Sequence, residues 1–118
     1  MKKTIKLKKN YEFNNTFKRG KYFSGNLIEC FYIKNNKNIN YFGIAISSKL
    51  CNAVKRNKIK RLIRQAYSNL ETSINTGNTF VFLLKKNTVV EECNYNNILG
   101  DMKIIFKKIG ISNEQNNN

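Results

Sequence analysis

Residues Ala53–Leu70 (AVKRNKIKRLIRQAYSNL) constrain this chain more than any other stretch, because they carry two incompatible surfaces at one period. At helical spacing, Ile59, Leu62, Ile63, Ala66 and Leu70 form an apolar stripe, and Asn57, Lys60, Arg61 and Arg64 form a second stripe on the far side. The first must be buried against another element and the second must stay outside. Between Glu29 and Glu71 there is no acid, yet Lys34, Lys37, Lys49, Lys55, Arg56, Lys58, Lys60, Arg61 and Arg64 all fall there. An ordinary solvated helix face mixes Glu with Lys, since each i,i+4 pair adds about 0.2–0.5 kcal/mol. Here Lys55, Arg56 and Lys58 crowd the positive end of the helix dipole, each forgoing about 0.3–1 kcal/mol. That cost is offset when a polyanion arrives, because a helix N-terminus ringed by guanidinium and ammonium groups is a phosphate site.

The rest of the composition points the same way. With 22 Lys and Arg against 7 Asp and Glu, the formal net charge is +15 on 118 residues. Such a field implies nucleic acid first and an anionic membrane surface second. No segment approaches the roughly 20 apolar residues of a transmembrane helix, and the basic start MKKTIKLKKN has no apolar region behind it. The expectation is a cytoplasmic protein without a membrane partner. Residues 1–112 are read as a single domain with one modest core, followed by a disordered polar tail at 113–118. Cys30, Cys51 and Cys93 are odd in number and far apart, which fits neither a disulfide framework nor zinc-ligand spacing.

Catalysis by the chain itself finds no support. There is no histidine, and the acids Glu12, Glu29, Glu71, Glu91, Glu92, Asp101 and Glu114 are scattered apart from one adjacent pair. A protein nuclease needs a histidine for acid–base work or converging carboxylates to hold divalent metals. Ser47, Ser48 and Cys51 have no histidine to activate them. No catalytic residue and no metal ligand is assigned.

Along the chain, Asn10 caps a short helix over 11–19, with Phe13 and Phe17 one turn apart and Gly20 as its stop. Residues 27–34 (LIECFYIK) read as a strand, the run NNKN at 35–38 as a turn, and 39–48 (INYFGIAISS) as the returning strand, with a short extra strand around 21–24. After the basic helix, NTGN at 75–78 is a turn and 79–85 (TFVFLLK) an apolar strand suited to burial on both faces. A last helix spans 90–109, with Tyr95, Ile98, Leu99, Met102, Ile105, Phe106 and Ile109 at core spacing. The order αβββαβα predicts an α+β two-layer sandwich, helices packed on a small sheet.

Residues 48–64, SKLCNAVKRNKIKRLIR, resemble the signature of the bacterial ribonuclease P protein subunit, an Ala-Val-x-Arg-Asn-Arg-x-Lys-Arg pattern on a basic helix. Upstream, Lys9-Asn10-Tyr11-Glu12-Phe13, then Phe17-Lys18-Arg19-Gly20, and Gly43 before the serines, are similar to that family's first helix and strand, so the resemblance runs from about Leu7 to Phe106. Two positions depart from it. Lys58 stands where the family has arginine, giving up a planar bidentate fork. Cys51 stands where the family has glycine, so a positive φ there would be strained.

The resemblance implies the non-catalytic protein subunit of an endoribonuclease that removes the 5′ leader from precursor tRNA, with the catalytic Mg2+ held by the large RNA and no cofactor on the protein alone. It also implies a left-handed βαβ crossover, against the general right-handed rule. Its partners would be ribonuclease P RNA and the precursor-tRNA leader, with no further protein required. By position, Arg56, Asn57, Lys58, Lys60, Arg61 and Arg64 would face the catalytic RNA. Phe13, Phe17, Tyr32 and Lys49 would line a cleft for the single-stranded leader, stacking bases on the rings. From spacing alone, Phe at i,i+4 suits a core better than a cleft, and it is the resemblance that places these rings in the cleft. Tyr32 shares a strand face with Ile28 and Cys30, opposite to Leu27, Glu29, Phe31 and Ile33, so one of these faces must carry the helices. Two other readings compete: a ribosomal or other structural RNA-binding protein, and a metal-dependent nuclease using Glu91, Glu92 and Asp101.

Overall fold

The computed structural model describes residues 3–112, so the tail expected at 113–118 lies outside it. The elements are β1 (Thr4–Lys6), α1 (Asn10–Arg19), β2 (Lys21–Ser24), β3 (Ile28–Lys34), β4 (Asn40–Ile44), α2 (Ala53–Leu70), β5 (Asn78–Leu84) and α3 (Tyr95–Ile109). The strands form one five-stranded sheet in the order β1-β4-β5-β3-β2. β5 runs antiparallel to β3 and parallel to β4, so α2 is the crossover helix between two parallel neighbours.

The apolar run of β5 sits at the centre because both its faces are covered. On one face, Phe80 and Phe82 join Cys30, Tyr32 and Phe42 from the flanking strands against Ile59, Ile63, Ala66, Tyr67 and Leu70 of α2 and Ile98, Met102, Ile105 and Phe106 of α3. The rings interlock: Phe42 stacks on Tyr67 at 4.4 Å and Phe80 meets Phe106 at 5.4 Å between centroids. Each such buried side chain contributes about 1.5–3 kcal/mol, which makes this layer the source of most of the fold's stability. On the opposite face α1 crosses the sheet, with Phe13 against Gly43 and Phe17 edge-on to Phe31 at 5.3 Å. The expected sandwich of sheet and helices is therefore present, and α1 covers part of the far side.

Local chemistry sets the boundaries. The Asn52 carboxamide oxygen accepts the Lys55 N–H at 2.9 Å and starts α2 where the sequence places it. The expected final helix is instead a 3-10 turn at Val90–Glu92 followed by α3, because the Asn94 side chain accepts the Asn97 N–H at 2.8 Å and restarts the helix there. α1 is not capped by Asn10. Lys9 takes the cap position, and the Glu12 carboxylate reaches back to the Lys9 N–H at 2.9 Å. Gly20 ends α1 in extended rather than left-handed conformation, and a Cβ there would lie 2.5 Å from the Thr16 carbonyl oxygen. The returning strand is shorter than 39–48, giving way after Ile44 to a turn that leads into α2.

Two buried acids tie the layers together. Asp101 of α3 accepts the backbone N–H groups of Asn26, Leu27 and Ile28 at 2.7, 2.6 and 2.9 Å, clamping the β2–β3 connection to the last helix. Glu71, just past α2, accepts the Lys3 N–H at 3.0 Å and the Thr4 hydroxyl, which fastens β1 to the helix end. β1 is absent from the sequence reading because three residues at a sheet edge carry no period to detect.

Candidate nucleic-acid interface

The outward side of α2 presents the six residues expected there as one ridge. Asn57, Lys58 and Arg61 are exposed, and Arg56, Lys60 and Arg64 are half-buried along its flanks, while Ile59, Ile63 and Ala66 of the same turns are buried. Arg56 has a second task. Its guanidinium donates to the Cys51 carbonyl at 2.8 Å and pins the loop that enters the helix. The expected strain at Cys51 does not arise: among the described residues Asn36 is the non-glycine with positive φ, and Cys51 is not. Lys55, outside the ridge, reaches Glu91 at 3.3 Å, an exposed pair of little energetic weight.

The cleft residues separate. Phe13 and Phe17 both lie between α1 and the sheet, and both stay partly exposed. Tyr32 does not join them. It faces the α2–α3 layer, 8% exposed, with its hydroxyl donated to the Asn78 carboxamide oxygen at 2.8 Å, and a ring held there cannot stack on a base beside Phe17. The assignment of Tyr32 to the cleft is thus corrected, and the aromatic on the α1 face of β3 is its neighbour Phe31, edge-on to Phe17 and to Tyr22. Phe31 was legible in principle: once Ile28 and Cys30 are placed in the core, alternation puts Phe31 opposite. Lys49 is exposed in the turn after β4, its N–H held by the Ser47 hydroxyl at 3.2 Å.

One shallow depression of about 140 Å³ is lined by Phe13 of α1, Lys6 of β1 and Leu7 just after it, Gly43 of β4, and Lys60 and Arg64 of α2. Phe13 therefore stands at the border between the cleft and the basic ridge. The acids offered to a metal nuclease do not converge: Asp101 is buried with its oxygens taken by backbone N–H groups, and Glu91 and Glu92 lie on an exposed 3-10 turn. Buried thiols are likewise quiet, since desolvation pushes Cys93 up to about 11 and raises Cys30 further.

A basic ridge on one side of a helix, with an aromatic cleft across the sheet, narrows the fold's relatives, and comparison with known proteins decides among them. The family model for Ribonuclease P matches residues 1–110. The chain belongs to the ribonuclease P protein family. A ribonuclease P protein component from Clostridium botulinum is 36% identical over 112 residues, 94% of this chain and 99% of that relative. One from Listeria monocytogenes is 40% identical over 88 residues, 73% of each chain. Among solved structures, an RNase P protein from Staphylococcus aureus matches with a TM-score of 0.79 at 25% identity, covering 92% of this chain and 97% of that one. The RNase P protein from Thermotoga maritima matches at 0.78 and 22% identity, over 88% and 96%, and speaks for the fold alone. The ribonuclease P family fold is thus the α+β arrangement described above, and the residues of α2 that the sequence compares with the family signature are those that form the ridge.

Proposed function

We propose that this chain is the protein subunit of the ribonuclease P ribonucleoprotein and acts in 5′-leader removal from precursor tRNA without breaking the bond itself. The observation that carries the proposal is the α2 ridge: cations without a neighbouring acid on the ridge itself, phased against a buried apolar stripe, in a member of this family. Arg56, Asn57, Lys58, Lys60, Arg61 and Arg64 bind ribonuclease P RNA through phosphates, Arg61 as the freest guanidinium and Arg56 also holding the loop. Phe13, Phe17 and Phe31 offer faces to the single-stranded leader, and Lys49 adds charge at the cleft's edge. Hydrolysis belongs to Mg2+ in the RNA. In support, the chain has no histidine, and the Glu12, Glu71 and Asp101 carboxylates are engaged by protein N–H or hydroxyl groups. The working compartment on this reading is the cytoplasm, and no second protein is needed.

Reconstitution tests the reading. Added to a bacterial ribonuclease P RNA at low magnesium, the chain should enable leader removal, and alone with magnesium it should cleave nothing. Cleavage by the RNA-free chain, or copurification with ribosomal RNA in place of one large non-ribosomal RNA, would overturn it.

A further inference from the structure

Two of the cysteines stand at equivalent places in the fold. Cys51 immediately precedes Asn52, which caps α2, and Cys93 immediately precedes Asn94, which caps α3. The two helix entrances lie together. In the first turn of α2 the Lys55 ammonium reaches the carboxylate of Glu91, two residues before Cys93, at 3.3 Å. Both cysteine side chains pack on the same core layer, Cys93 buried within it at 5% exposure and Cys51 half-buried at its margin.

Electrostatics brings the two sulfurs closer still. Burial pushes the Cys93 thiol up to about 11, and the next cause is the charge of a Cys51 thiolate, ahead of the Asp101, Glu92 and Glu91 carboxylates. A coulombic effect falls with distance, so a group far off in sequence that outweighs the adjacent Glu92 is a near neighbour. Cys30, buried in β3, differs: burial raises its thiol with no contribution from another cysteine. The family signature has glycine at position 51, so the pair comes from a residue that sets this chain apart.

We propose that Cys51 and Cys93 form a dithiol site that a small disulfide of the glutathione class converts to an intramolecular disulfide. Cys51, the half-exposed member, attacks one sulfur of the reagent. A Cys51–glutathione bond forms, the reagent's S–S bond breaks, and the departing glutathione takes the Cys51 proton. The mixed disulfide carries no charge at Cys51, which removes one cause of the raised Cys93 thiol. Cys93 then attacks the Cys51 sulfur from inside the protein, and the second glutathione leaves with the Cys93 proton. Two protein thiols are oxidised and one small disulfide is reduced to two thiols.

The consequence is protection of the ridge. A thiol left to peroxide climbs to sulfinic acid, which thiols do not reverse. At Cys51 that anion would stand beside Arg56, whose guanidinium donates to the Cys51 carbonyl at 2.8 Å. A disulfide halts the climb reversibly and adds no charge at the foot of α2. In a reducing compartment the pair stays open and closes only under oxidant, the use such bonds have there.

The test incubates the full chain, free of RNA, with glutathione disulfide, then alkylates and maps it under non-reducing conditions. The expected product is lighter by two hydrogens, with the Cys51 and Cys93 peptides joined and Cys30 alkylated once the chain is denatured. Its Tm should rise by on the order of 10 °C and return with dithiothreitol. In Cys93→Ala the reaction should stop at one glutathione on Cys51. Cys51→Ala, at a half-exposed position that tolerates the change, should take up no glutathione while folded. A glutathione that stays on Cys51 in the unsubstituted chain, a bond that includes Cys30, or no reaction in the folded chain would each overturn the proposal. So would an oxidised chain of lower Tm, because the pair would then close only by breaking the fold.

Discussion

Replacing Asp101 by alanine removes the acceptor shared by three consecutive backbone N–H groups, and the structure lets the cost be worked out group by group. Asn26 is exposed, so its N–H returns to water. Leu27 and Ile28 are 7% and 0% exposed, and their N–H groups, both bonded to Oδ2, are left without a partner. A buried donor left unmade costs about 1–3 kcal/mol, giving about 2–6 kcal/mol for the pair. The adjoining depression of about 370 Å³, lined by Leu27, Gly100 and Asp101, gives water a partial route in and favours the lower half of that range. A loss of about 2–4 kcal/mol is a large share of the roughly 5–15 kcal/mol that holds a domain together. At this chain length it corresponds to a Tm lower by about 8–16 °C. Asp101→Asn should cost about half as much, because a carboxamide oxygen can replace Oδ2 for Leu27 and Ile28 while its NH2 turns toward the exposed Asn26. Urea and thermal unfolding of both variants measure this. A penalty below about 1 kcal/mol for alanine, or an asparagine variant as unstable as the alanine one, would refute the claim that these bonds clamp α3 to the β2–β3 connection.

Other perturbations follow from the same geometry. Arg61→Ala should weaken binding to ribonuclease P RNA and flatten its salt dependence by about 0.7–0.9 in log–log slope per phosphate lost, with folding unchanged; an unaltered slope would remove Arg61 from the interface. Phe17→Ala should weaken leader affinity by about 1–3 kcal/mol while RNA assembly is retained, and equal loss of both would merge the two surfaces into one. In thiol labelling of the folded chain, half-buried Cys51 should react first, with Cys30 and Cys93 released only on unfolding; three equal rates would contradict their burial. The N–H groups of Lys9 and then Lys8 hold the Glu12 carboxyl below its ordinary value near 4.5. Its contribution to α1 is therefore present above that value and lost as pH falls through the lowered one. Amide protection at Lys8 and Lys9, measured against the intrinsic exchange rate at each pH, should fall in that window, and the fall should vanish in Glu12→Gln.

The sequence revealed most where one period had a single solution. α2 begins and ends at the expected residues because an Asn cap and two stripes agree on its phase. β3 is harder: LIECFYIK carries apolar or aromatic residues on both faces, with Glu29 on one of them, alternation alone does not choose which side carries α2 and α3, and the resemblance puts Tyr32 in the cleft where the structure has Phe31. The spacing extends the last helix back to Val90, while the stronger signal, Asn94 as a cap, lies four residues later and starts α3 at Tyr95. The roles of Asp101 and Glu71 depend on backbone donors more than 60 residues away, which no local pattern encodes.

In α2, Ile59 and Ile63 are bolted into the core while Lys60, Arg61 and Arg64 hold the outer ridge, so the two surfaces share one rotational register. One extra residue between Asn57 and Ile59 would swing the Arg56–Asn57 end by about 100° against everything that follows. Spelling can therefore vary along this helix, lysine for arginine included, but its metre cannot.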